Sequence, residues 1–374
     1  MGQPPTPLKT VALGLLVAFG SALGLLAAEI ALRLTPYGAD RGGVFTANEA
    51  EFERIPGIFS PGQAVVVRQI RELTYRVNID SLGYRGANFP RAKGPGELRI
   101  LFAGDSFVFG DFVDNEETLP AQLEQFLSAR CDGPVHVVNA GLGGSTIRDQ
   151  TRLIERAMTI EPDIVVLQFS ENDVRDLAGI SMWEELAGNR AAKSRFPMSV
   201  IYPLVRETAL WNLALKAVAV LRERRTTRSL EAQTIPADGL SERASSEPPT
   251  ALNGGGSAQR DDDPYRFEYR TSLDELRASL EEMGVPFIFT IFPSHLSVYR
   301  LWESDQLEWL GGAIDEVGID AVSFLSPMTT DGRTESELYL LPRDGHPSPQ
   351  GYRVAAEYLG AALVERPLPA GGCS

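Results

Sequence analysis

A chain of 374 residues with 50 acidic and 35 basic side chains has room for one large domain with attachments, or for two modest domains. Its net charge of -15 excludes the basic footprint of a nucleic-acid or polyanion binder. Its two cysteines, Cys131 and Cys373, exclude a disulfide scaffold and a thiolate metal cluster, and with Cys373 in a tail the two are expected to stay unpaired.

Residues 10–28, "TVALGLLVAFGSALGLLAA", hold no charge over 19 positions, which in a helix nearly matches a hydrocarbon core of about 30 Å. A cleaved secretory signal is the rival reading, since Ala22, Leu23 and Gly24 suit a peptidase. The apolar run continues past them, which favours an uncleaved membrane anchor within residues 10–34. Lys9 before the run and Arg33 and Arg41 after it leave the charge rule for orientation undecided. Export of the large C-terminal part is expected, because long domains translocate largely regardless of charge. Residues 35–95 read as a tether and an N-terminal extension, with a hairpin or loop at "YRVNIDSLGYRGANFP".

From residue 96 to 368 the pattern changes to that of one domain. Five apolar runs of strand length, "LRILFAG", "VHVVNAG", "DIVVLQFS", "PFIFTIFP" and "DAVSFL", alternate with helical spacings such as Leu119, Leu123, Phe126, Leu127 and Leu307, Leu310, Ile314. That alternation predicts a three-layer α/β/α sandwich around a five-stranded, mainly parallel sheet. The helical stretch 199–224 reads either as a lid-like excursion or, preferably, as the crossover helix to the fourth strand. Residues 228–264, rich in Ser, Pro, Gly and Asp, read as a disordered insertion. Residues 369–374 form a tail.

In an open parallel sheet ligands bind beyond the carboxyl ends of the strands, so the residues after each run matter most. The first run ends in Gly104-Asp105-Ser106, the second in "NAGLGGST" and the third in "SENDVRD", while "RDGHPSPQG" follows the fifth. A serine in such a turn is commonly a capping residue; as a nucleophile it needs a base and oxyanion donors. Three histidines are present. His136 begins the second strand at the far end of the sheet and reads as structural, and His295 follows the fourth strand, at the site or on a surface loop. His346 stands beside Asp344, a carboxylate able to hold one ring nitrogen and leave the other as base. Asp105 and Asp173 read as structural, and Phe107, Phe109 and Phe169 as either an acyl-group wall or core. No cofactor is expected, and the scattered histidines offer no metal-ligand spacing.

The GDS turn, the Gly-rich turn, the ND turn and the C-terminal D-H loop, in this order over about residues 97–365, resemble the SGNH hydrolases, the GDSL-type esterase and acyltransferase superfamily. The anchor and "NIDSLGYRG" also look like its membrane-tethered bacterial branch. The resemblance implies a flavodoxin-like sheet, Ser106 as nucleophile, His346 as base with Asp344 as its acid, and an oxyanion hole from Ser106, Gly144 and Asn172. The sequence departs from the family pattern twice: Ser170 stands at the Gly of G-x-N-D and is expected to narrow or polarise the pocket, and Asp344 lies two rather than three residues before His346.

The leading expectation is a membrane-anchored serine esterase acting on acyl, foremost acetyl, esters, with a substrate that includes acylated carbohydrate among its candidates. The alternatives are an O-acyltransferase modifying an exported polysaccharide or wall polymer, and a non-catalytic binding protein on the same fold. Oligomeric state is left open.

Overall fold

The computed structural model describes residues 7–35, 43–68, 73–215, 217–218, 263–299, 305–366, 368 and 373. The chain divides into two units, residues 1–42 with 196–256 and residues 43–195 with 257–374. The first unit holds helix α1 (Pro7–Arg33), about 40 Å long at 27 residues, whose side chains over residues 11–27 are all exposed. It also holds the helix Met198–Val205 and a further helical run at 209–215.

In the second unit β1 (Ala64–Arg68) pairs antiparallel with β2 (Thr74–Asn78), so part of the stretch expected as a hairpin or loop is a strand. The loop that follows is closed by Asp80, whose carboxylate accepts the Leu82 and Tyr84 N–H groups. Five parallel strands form the main sheet: β3 (Leu98–Gly104), β4 (Val135–Gly141), β5 (Ile164–Ser170), β6 (Phe287–Phe292) and β7 (Ala321–Ser323). Their order, β4-β3-β5-β6-β7, is the flavodoxin-like one, and it reverses direction between β3 and β5.

Alternation along β3 divides the core. Leu98, Ile100 and Phe102 face α2 (Leu119–Ser128) and the last long helix, Pro349–Val364, whereas Leu101 and Ala103 face α3 (Ile147–Ala157) and Pro264–Glu282. With both faces covered, β3 is buried at all of its positions. A fully buried leucine such as Leu123 or Leu127 is worth about 2 kcal/mol.

Two expectations change. The helix that leads into β6 is Pro264–Glu282, started by an Asp263 side chain that accepts the Tyr265 N–H, and the stretch 199–224 belongs to the first unit where it is described. Pro264–Glu282 buries Tyr269, Leu273, Leu276 and Leu280 at spacings of four, three and four, a stripe hidden among charged residues. The insertion expected at 228–264 lies outside the described residues except for those last two positions, which start this helix.

The second change concerns the cysteines: Cys131 and Cys373 form a disulfide across a separation of 242 residues. The last long helix packs on α2, which ends just before Cys131, and Cys373 forms its bridge beside that helix's end.

Candidate active site

Gly104 and Gly141 are register partners at the carboxyl ends of β3 and β4. There the chain turns sharply into the short helix Ser106–Phe109. A Cβ on Gly141 would lie 2.1 Å from the Phe109 nitrogen, so only glycine lets this turn fold back over the neighbouring strand. Asp105 caps the turn by accepting the Phe107 N–H at 2.9 Å, and it also receives the Ser170 hydroxyl at 3.1 Å. Ser170, expected to shape the pocket, is buried and turned inward to Asp105, so that expectation gives way to a bracing role.

The turn aims Ser106 at a histidine 240 residues away: His346 Nε2 lies 2.8 Å from Ser106 Oγ. On the opposite edge of the ring, Nδ1 meets Asp344 Oδ1 at 2.5 Å, and the same oxygen accepts the His346 backbone N–H at 3.0 Å. An Asp-x-His loop thus brings its carboxylate onto the imidazole without the usual extra residue. The loop is itself pinned. Leu340 N–H donates to the His346 carbonyl, the buried Tyr339 hydroxyl donates to the Pro293 carbonyl, and Ser348 caps the helix that begins at Pro349.

Burial alone would lower the His346 pKa. The hydrogen bond to Asp344 and the negative charges of Asp111, Asp344 and Asp105 outweigh it and hold the pKa above its ordinary value. Asp105 and Asp111 are both pushed up by burial.

Gly144 takes a φ of +72°, which a residue with a side chain adopts only under strain, and among the described residues its N–H has no backbone acceptor. A Cβ on the adjacent Gly143 would lie 3.9 Å from the Ser106 Cβ, which puts this turn beside the serine. Asn172, just after β5, donates its side-chain amide to Asp176 at 2.8 Å and, more loosely, to Asp105 at 3.5 Å. Those carboxylates fix the amide plane next to the residue preceding Ser106. Asp173 is fully buried and accepts the Ser170 N–H; burial raises its pKa well above the usual carboxylate range.

Of the aromatic candidates, Phe107 stands over the His346 ring at 4.9 Å, while Phe109 packs on Phe59 and Phe169 on Tyr269 in the core. His136 lies at the beginning of β4, remote from the serine, with its ring on Phe89. His295 pairs with Glu335 at 2.7 Å, and its ring would lie 3.5 Å from a Cβ on Gly345, so it neighbours the histidine loop.

Several residues at the site escape sequence reasoning. Phe112 meets the other edge of the His346 ring at 5.1 Å with a left-handed φ of 70°, a strained backbone of the kind that gathers at functional sites. Asp111 beside it accepts the Tyr75 hydroxyl at 3.3 Å. Arg85, from "NIDSLGYRG", donates to the carbonyls of Phe109, Gly110 and Val113 at 2.6 to 2.8 Å and so clamps the loop that carries both. The only sequence signal was a single arginine at the end of a Gly-containing turn, with nothing to name its target.

The chain covers 72% of itself and 96% of an α/β hydrolase, LAE5, from the metagenome of Lake Arreo, at 16% identity and a TM-score of 0.40. For the acetylxylan esterase Axe2 of Geobacillus stearothermophilus the shares are 71% and 93%, at 16% identity and 0.38. For the lipase/acylhydrolase of Enterococcus faecalis they are 71% and 95%, at 15% identity and 0.39. No curated protein matches the chain. The sequence profile of the GDSL-like lipase/acylhydrolase family matches residues 102–354, a span that opens four residues before Ser106 and closes eight after His346. A match over that much of the chain means that it belongs to this family of ester-hydrolysing enzymes.

Proposed function

We propose that the protein is a serine esterase that works through an acyl-enzyme on Ser106, with short acyl esters such as acetyl esters as its substrates. The observation that carries the reading is the unbroken contact chain from Asp344 through His346 to Ser106 Oγ. His346 Nε2 takes the Ser106 proton as Oγ attacks the ester carbonyl, and Asp344 steadies the imidazolium. The oxyanion is received by the Ser106 and Gly144 N–H groups and by the Asn172 amide, which keeps its bond to Asp176 and turns its second N–H from the long 3.5 Å contact with Asp105 to the oxyanion. His346 then returns the proton to the leaving alcohol. In the second half it activates the acceptor that frees the acyl group, water in hydrolysis or a sugar hydroxyl in transfer. The same contact chain counts against a non-catalytic binding protein, which has no need of it.

We place the second unit outside the cytoplasm, tethered by α1. Two features support this: a helix with apolar side chains exposed along a membrane-spanning length, and a disulfide, which persists in oxidising compartments.

The test is turnover of an aryl acetate by the full chain in detergent, compared with Ser106→Ala and His346→Ala. Each variant is expected to lose about a thousandfold or more in rate, and wild type to carry an acetyl adduct on Ser106 by mass spectrometry. An adduct that outlives added water but discharges to oligosaccharides would identify a transferase. No adduct, and a rate unmoved by either substitution, would sink the proposal.

A further inference from the structure

The first unit shows an apolar surface that the esterase reading does not use. Next to α1, the described residues of the segment 196–218 expose seven large apolar side chains, among them Phe196, Val200, Ile201, Leu204 and Leu213, with Phe196 at 85% and Leu204 at 72% exposure. Among the described residues, the other exposed large apolar side chains beyond α1 and Leu34 are single ones at Ile180, Phe267, Met283 and Tyr358. Tyr202 of the same segment is turned inward, and its ring meets Trp211 to tie the two helical pieces together.

What covers this surface is indicated by where it is fastened. Glu29, in the last turns of α1, accepts the backbone N–H groups of Ala209 and Leu210 at 2.9 and 3.0 Å. Arg33, one turn on, donates to Glu29 at 2.7 Å and to the Glu207 carbonyl at 3.4 Å. Glu29 is the first charge after the 10–28 run, so it marks the level at which a spanning helix leaves hydrocarbon for the headgroup region. A segment hydrogen-bonded to Glu29 and Arg33 therefore lies at that level too, with its leucines beside the lipid.

We infer that residues 196–218 form a second membrane contact, lying in the lipid interface beside the anchor helix with Ile201, Leu204 and Leu213 inserted among the acyl chains. The inference rests on α1 being a membrane anchor. Within 196–218 the sequence holds two bases, Arg206 and Lys216, against one acid, Glu207, so the contact is apolar and needs no anionic lipid.

The experiment uses the full chain in bilayers of phosphatidylcholine, with an environment-sensitive fluorophore on Leu204→Cys or, as a control on the anchor, on Phe19→Cys. Esterase activity of each labelled protein reports an intact fold. Quenching at position 204 is expected to be about twofold stronger from doxyl groups near the carbonyl end of the acyl chain than from those near the methyl end, with the reverse at position 19. A quenched position 19 with an unquenched, water-exposed position 204 would overturn the interfacial contact and leave the anchor standing. No quenching at either position would remove the anchor and the inference with it. A shielded but unquenched position 204 in a protein that sediments as a dimer would mean that a second copy covers the face. Because Leu204→Cys alters the surface under test, Phe196→Cys serves as an independent second reporter with the same expected pattern.

Discussion

His346 is held in a ring of acids whose combined effect raises its pKa, and the sign of that shift fixes the pH behaviour. A base with a raised pKa is in its working, neutral form only at higher pH, so turnover is expected to fall as pH drops through a pKa raised from the ordinary histidine value. Asp111 contributes charge without touching the ring nitrogens. Asp111→Asn is therefore expected to move the acid limb of the rate profile toward lower pH while the plateau rate changes little. Asp344→Asn removes the carboxylate that orients Nδ1–H, and its plateau is expected to fall by roughly ten thousandfold at most. Full pH–rate curves for the two variants separate the roles, and a plateau that collapses equally in both would show that Asp111 also orients the ring. Ser106, Gly144, Asn172 and His346 were legible because each follows a strand run or stands in the last loop. Asp111, Phe112 and Tyr75 were not, because the contacts of Phe112 with the imidazole and of Tyr75 with Asp111 come from packing between segments more than 30 residues apart.

Arg85 connects the N-terminal extension to the loop behind Ser106. Its guanidinium is buried, lies 4.9 Å over the Phe109 ring and serves backbone carbonyls that have no access to water. Arg85→Met leaves those carbonyls unpartnered and is expected to cost about 3 to 5 kcal/mol in urea unfolding. Lysine should not rescue it, since a single ammonium cannot reproduce the planar fork that reaches Phe109, Gly110 and Val113 together. An Arg85→Lys protein as stable as wild type would contradict this account. Among elements, the five strands were legible because apolar runs bounded by turn residues report burial on both faces. The crossover helix was not: 199–224 is more continuously apolar than Pro264–Glu282, and a stripe of Tyr269, Leu273, Leu276 and Leu280 is diluted by the charges around it.

For the whole molecule, the link between Cys131 and Cys373 is the feature that pattern reasoning could least supply, because loop closure over 242 residues is a property of the folded path. Closing so long a loop removes denatured-state entropy worth up to roughly 5 kcal/mol. Serine at both cysteines is expected to lower the urea midpoint by a corresponding amount, and reductant to bring wild type to the same curve. Coincident curves for oxidised and reduced wild type would show that the bridge adds no stability. The bridge also divides the candidate site by covalent topology. Gly144, Asn172, Asp344 and His346 lie inside the closed ring, whereas Ser106 lies on the open strand that precedes it. A mechanical pull along the chain would pass through the sulfur atoms and leave roughly 800 Å of extended length in reserve. The nucleophile's strand can then be drawn out of the sheet while the half that carries the base stays closed on itself.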